Sequence, residues 1–159
     1  MFWKTIDWIS EKLKTIGAAC LVGMTFLTCA DVIGRLFLHP IFGSVEIVAF
    51  MATLSVAMAL PYTHKIKGHV GVEILVRLLS VRTQAIIDIS TGILSLCLFV
   101  IVTWRMTKYA HTMHKSGELS MNLELPEYVI IYITAFCLFI FTLVIIKDIL
   151  NNIKTLKEK

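Results

Sequence analysis

At 159 residues, 57% of them apolar and only 16% charged, with a mean hydropathy of +0.82, the chain is too apolar for a soluble domain of its size. Its net charge of +4 comes without a long basic run interleaved with aromatics, which argues against nucleic-acid binding. The four cysteines all fall inside apolar runs and none are spaced CxxC, so they suit packing rather than a disulfide framework.

Taken in order, Phe2, Ile6, Ile9, Leu13 and Ile16 recur at helical spacing while Lys4, Asp7, Glu11, Lys12 and Lys14 fall elsewhere, an amphipathic pattern. Trp3 and Trp8 prefer the headgroup level, so residues 1–15 are expected to form an arm lying in the membrane interface. These charges also argue against a cleaved signal peptide ending at Cys20. A first span is expected over 16–37. It leaves the membrane through Asp31 and Arg35, one helical turn apart and set to form an ion pair. Glu46 opens the second span, where a carboxylate suits the helix dipole with Ser44 or Gly43 as cap, and it is expected close enough to Arg35 to complete a cluster of three charges.

The second span, 45–63, holds an uncharged run of seventeen residues between Glu46 and His64, near the roughly 20 that cross a bilayer core. Ala49, Ala52, Thr53 and Ala57 mark it as a surface for close helix packing, within the bundle or on a partner. It closes at Pro61 and turns basic with His64, Lys65, Lys67 and His69. Ile74, Leu75, Leu78 and Leu79 predict a second short interfacial helix over 70–79, and Ser80 can cap the third span, 83–106, which carries Asp88 in its first turns. Trp104, Arg105 and Lys108 form its outer rim. A loop containing Ser116, Glu118, Leu123, Pro126 and Glu127 then leads into the fourth span, 127–147, and a basic tail over 148–159.

The apolar runs are continuous rather than alternating, so helices are expected rather than a β-barrel. With both termini in the cytoplasm, eleven basic residues lie inside against four outside, a bias that requires an even number of spans. The expected fold is an all-α, four-span membrane protein.

No nucleophile with a base, phosphate-binding glycine loop or carboxylate pair stands out, so no enzyme activity and no cofactor are expected. His39, His111 and His114 share the outer side without the framework of a metal site, and His64 and His111 lie on opposite sides, which argues against a bis-histidine haem. A transporter working alone would need ionisable groups or a broken helix at the midplane, and the span centres offer neither.

Several short stretches fall in a telling order: Arg35-Leu-Phe after the first span, Gly43-Ser-Val-Glu46 opening the second and Leu60-Pro-Tyr62 closing it. His69-Val-Gly-Val-Glu73 follows in the inner connection and Leu123-Glu-Leu-Pro-Glu-Tyr128 before the fourth span. Together these resemble the small, four-span membrane subunit of a tripartite ATP-independent periplasmic (TRAP) transporter, though Glu127 and Tyr128 stand where that family often has a tryptophan. The resemblance implies a noncatalytic scaffold in the bacterial or archaeal cytoplasmic membrane. Its partners would be lipids, a large multi-span subunit that holds the sodium and substrate sites and moves as an elevator, and a periplasmic binding protein that delivers an organic anion, often a carboxylate. Within that expectation the Ser116–Glu127 loop meets the binding protein. The rivals are an autonomous small transporter using Asp88 and a haem-binding redox subunit.

Overall fold

The computed structural model describes residues 2–66 and 81–157, almost entirely as four helices: α1 (Phe2–Leu36), α2 (Ser44–Lys65), α3 (Val81–Ser116) and α4 (Glu127–Lys157). Each contains a segment long and apolar enough to cross a membrane. The turns between them follow local chemistry. Gly43, with φ of 72°, supplies the left-handed residue before α2, and Gly117, with φ of 67°, does the same after α3, its N–H bonding the Met113 carbonyl.

The helices form two antiparallel hairpins, α1 with α2 and α3 with α4, joined along a seam between α2 and α4. Half of the apolar window of α4 is buried inside the protein and none of that of α3, which makes α4 the hub and α3 the edge. A cluster of Leu13, Ala57, Met58, Cys137 and Ile140, flanked by Ile9, Leu54, Ile133 and Leu143, brings α1, α2 and α4 together. Both termini lie at one end of the bundle, the terminal end. The 37–43 turn and the 117–126 loop lie at the other, the distal end.

Three boundaries differ from the expected ones. The arm predicted over residues 1–15 is not a separate element, because α1 runs without a break from Phe2 to Leu36. Its buried stripe is Ile6, Ser10, Leu13 and Gly17, whereas Ile16 is half exposed. Ser10 and Gly17 are invisible to an apolar periodicity, yet their small size is what lets α1 close on its neighbours. Second, α3 and α4 each continue about ten residues past the expected ends of their spans at 106 and 147. The helix expected over 70–79, and the Ser80 cap, lie outside the described residues.

The α1–α2 seam is close at Gly17, whose carbonyl accepts a 2.9 Å hydrogen bond from the buried Ser55 hydroxyl. A Cβ added there would lie 3.1 Å from the Ser55 carbonyl oxygen and 3.2 Å from the Met58 Cβ. Gly17→Leu is therefore expected to lower stability in a detergent-unfolding titration by about 1–3 kcal/mol, whereas leucine at the exposed Ala18 should change little. Several other span hydroxyls turn back on their own helices, with Thr25, Thr53, Thr63, Thr91, Thr103 and Thr142 each bonding the carbonyl four residues earlier at 2.7–3.0 Å, whereas the buried Thr134 hydroxyl has no hydrogen-bond partner among the described residues. These bonds satisfy the six named threonines in a medium without water.

Candidate functional site: fastened ends and an apolar middle

At the distal end the i, i+4 spacing of Asp31 and Arg35 produces the expected ion pair, the Arg35 Nε donating to Oδ2 of Asp31 at 2.8 Å. Asp31 is nearly buried, at 7% exposure, because its other oxygen accepts the Ile41 N–H at 2.9 Å. The carboxylate thus pins the turn between α1 and α2. The turn closes further through the His39 N–H on the Gly34 carbonyl at 2.8 Å, with Leu38 held at a φ of 60°.

Glu46 does not join this pair. Its carboxylate instead accepts four hydrogen bonds from the distal loop: the Ser120 hydroxyl at 2.8 Å, the Asn122 backbone N–H at 2.8 Å and side-chain amide at 2.9 Å, and the Leu123 N–H at 3.1 Å. Arg35 is already engaged by Asp31, and the loop donors fill the Glu46 oxygens. The Ser120 hydroxyl also accepts the Leu125 N–H at 3.2 Å, and the Ser120 N–H bonds the Leu125 carbonyl at 2.9 Å, so the loop closes on itself around the acid. Leu119 and Pro126 pair across its neck. The Leu123 side chain sits so close over Gly43 that no Cβ fits between them.

The other loop residues singled out from the sequence divide by exposure. Ser116 and Glu118 are exposed, and Leu123, Pro126 and Glu127 half-buried. On α2, Ala57 lies in the core and Ala52 is half-buried, but Ala49 and Thr53 face outward. Trp8 and Trp104 are 60% and 62% exposed, and Trp3 is half-buried. Asp88 is half-buried and partnered. No group of three or more candidate ligands is arranged to hold a metal among the described residues; His39 and His111 are exposed and His114 stacks edge-on against Tyr128.

The terminal end carries a second fastening that sequence spacing did not reveal. Lys147 on α4 donates to both oxygens of Asp7 on α1, at 2.7 and 2.6 Å. Lys65 on α2 reaches Glu11 at 3.3 Å and Asp7 at 3.8 Å, and Lys14 lies 3.9 Å over the Tyr62 ring. Three helices are thus tied by one charge network. His64 adds a contact to α4, 3.8 Å from Asp148 and edge-on to Phe141.

Between the two ends, α2 covers nineteen residues from Glu46 to Lys65 and α4 twenty from Glu127 to Lys147, about 28–30 Å at the helical rise and close to the thickness of a bilayer core. On these two helices what lies between is apolar apart from hydroxyls, thiols and His64 near the terminal end, whereas α3, whose Phe99 stacks on Phe141 and His114 on Tyr128, brings Arg105 and Lys108 to these levels on its exposed side. The α2–α4 seam can hold its ends rigidly, and it offers no charged path across the middle.

The chain matches, over residues 24–155, the family model described as tripartite ATP-independent periplasmic transporters, DctQ component. It belongs to the DctQ family. No curated protein and no solved structure matches it. The DctQ match takes in Asp31, Arg35, Glu46 and the whole distal loop, so the clasped carboxylate lies in the part of the chain that defines the family. Asp7, Glu11 and Gly17 precede the match, so this DctQ chain fastens its terminal end partly with residues outside it.

Proposed function

We propose that this DctQ component is the noncatalytic small subunit of a sodium-coupled TRAP importer, set in the cytoplasmic membrane with both termini inside. It supports and enlarges the stationary part of a large, elevator-type membrane subunit, which holds the sodium and substrate sites. A periplasmic binding protein delivers an organic anion, a carboxylate, to the pair. The observation that carries this reading is the placement of charge on α1, α2 and α4: ion pairs and a clasped carboxylate at the two ends, about 30 Å apart, with apolar residues and threonine hydroxyls bonded mostly within their own helices between them. A scaffold needs fixed ends and a lipid-compatible wall. A translocation path needs ionisable groups at the midplane.

The test is a mild-detergent pull-down of this chain expressed with its genomic neighbours. Recovery of a far larger multi-span protein in equal amount is the expected result, whereas a stable chain recovered alone, able to move a solute by itself, would sink the reading. In the same assay Arg35→Leu leaves the near-buried Asp31 without its cation. Complex yield and uptake should fall together, and unchanged values would remove Arg35 from the assembly.

A further inference from the structure

We propose that the outer face of α3 from Leu94 to Lys108 seats a transmembrane helix of the large subunit, which brings a carboxylate to Arg105 and Lys108. The proposal rests on the transporter reading above, which supplies that subunit.

Three contacts set the levels along the α3–α4 seam. Gly92 lies against the Ile149 side chain, Phe99 meets Phe141 edge-on at 4.6 Å, and His114 meets Tyr128 in the same way at 4.6 Å. Each residue forward on α3 is thus matched by one backward on α4, which sets Arg105 level with Phe136 and Lys108 level with Ile133. Phe136 lies nine residues beyond Glu127, where the fourth span opens. Arg105 therefore sits about 13 Å inside that span, close to the middle of a hydrocarbon core about 30 Å thick, and Lys108 about 9 Å inside it. A bundle tilt of about 20° raises one of two helices about 9 Å apart by only about 3 Å.

Both cations face away from the bundle. Ala110 and Met113 are buried on the side toward α4 and Met106 is half-buried, whereas Leu94, Leu98, Ile101, Arg105 and Lys108 are all exposed. These five recur at intervals of four, three, four and three, the spacing of a helix-packing seam. Neither cation forms an ion pair among the described residues.

Depth and direction choose the occupant. Ionisable groups at membrane depth face protein or a water-filled cavity and pair there, so hydrocarbon does not suit this face. Helix side chains lean toward the helix N-terminus, which for α3 is the terminal end. Arg105 and Lys108 thus lean deeper, away from the distal headgroups, and the Lys108 ammonium rests 5.1 Å from the ring of Trp104, one turn farther in. A soluble partner stays outside this level. A second copy on a two-fold axis would set the face against itself, cation on cation. What remains is another membrane protein carrying a carboxylate, and an arginine–carboxylate pair shielded from water is strong and directional.

The experiment uses the complex of this chain with its large membrane subunit in lipid discs. Photoreactive benzoylphenylalanine in place of Leu98 or Ile101 should cross-link to the large subunit, and cross-links to phospholipid alone would overturn the proposal. Arg105→Glu with Lys108→Glu should lower recovery of the large subunit by about tenfold or more. Arg105→Leu with Lys108→Leu should lower it less, since leucine suits lipid but strands the partner's carboxylate. The isolated leucine variant should unfold in detergent no more easily than the unmodified chain, because both positions are exposed. Unchanged or improved recovery in that variant would overturn the proposal. So would loss of bound anionic lipid at unchanged recovery, which would give the cations to headgroups. If the charge-reversed pair fails to fold, the cross-link and the leucine pair decide. If the unmodified chain recovers no large subunit, the scaffold reading falls, and this one with it; recovery without a cross-link removes this proposal alone.

Discussion

Replacing Lys147 with leucine is expected to destabilise the bundle by about 1–3 kcal/mol in a detergent-unfolding titration, between the small worth of an exposed ion pair and the 3–5 kcal/mol lost when a buried pair is broken. The pair belongs in that middle range because both side chains are about one quarter exposed, 24% for Lys147 and 28% for Asp7. Lys147 donates to both carboxylate oxygens. Without it, Asp7 keeps, among the cations of the described residues, only Lys65, at 3.8 Å and already nearer to Glu11. The single change should therefore cost more than the bond itself, since it strands a partly desolvated charge. Changing Asp7 and Lys147 to leucine together should recover much of that loss, with a coupling of about 1–2 kcal/mol in the double-mutant cycle. Strict additivity would show that the two residues do not fasten α1 to α4.

The contrast between this pair and Asp31 with Arg35 shows what one chain reveals about its own fold. The distal pair was legible because helical spacing alone brings residues four apart onto one face. Asp7 and Lys147 are separated by 140 positions, and Glu46 by 74 to 77 from its partners. No local pattern carries such distances. The four spans were legible for the opposite reason, since each needs only a continuous apolar run. Periodicity also found that α1 and α2 have packing faces without saying which residues complete them. The α1 stripe runs through Ser10 and Gly17 rather than Ile16, and on α2 Ser55 and Ala57 face inward while Ala49 and Thr53 do not. Small residues mark both a packed seam and an exposed surface, and only the partner helix tells them apart. Expected span ends at 106 and 147 fell short because hydropathy reports where lipid ends, not where a helix does.

Glu46→Ala should free the distal loop. The carboxylate is the common acceptor for the Ser120 hydroxyl, both Asn122 donors and the Leu123 N–H, so its loss removes all four bonds at once. What remains is the loop's own closure between Ser120 and Leu125 and the Leu123 side chain over Gly43. Limited proteolysis across residues 118–125 should accelerate by about tenfold or more, following the population of the open loop. Glu46→Gln turns one acceptor oxygen into an amide donor facing other donors, and Glu46→Asp shortens the reach by one methylene, so both should loosen the loop without releasing it fully. Ser120→Ala should be the mildest, because Asn122 and Leu123 still hold the acid. A loop equally protected in Glu46→Ala would show that backbone closure alone sets its shape. The functional readout separates two roles. If the loop meets the binding protein, uptake falls in step with loop opening while the large subunit still co-purifies; if the clasp chiefly aligns α2 with α4, the complex is lost first.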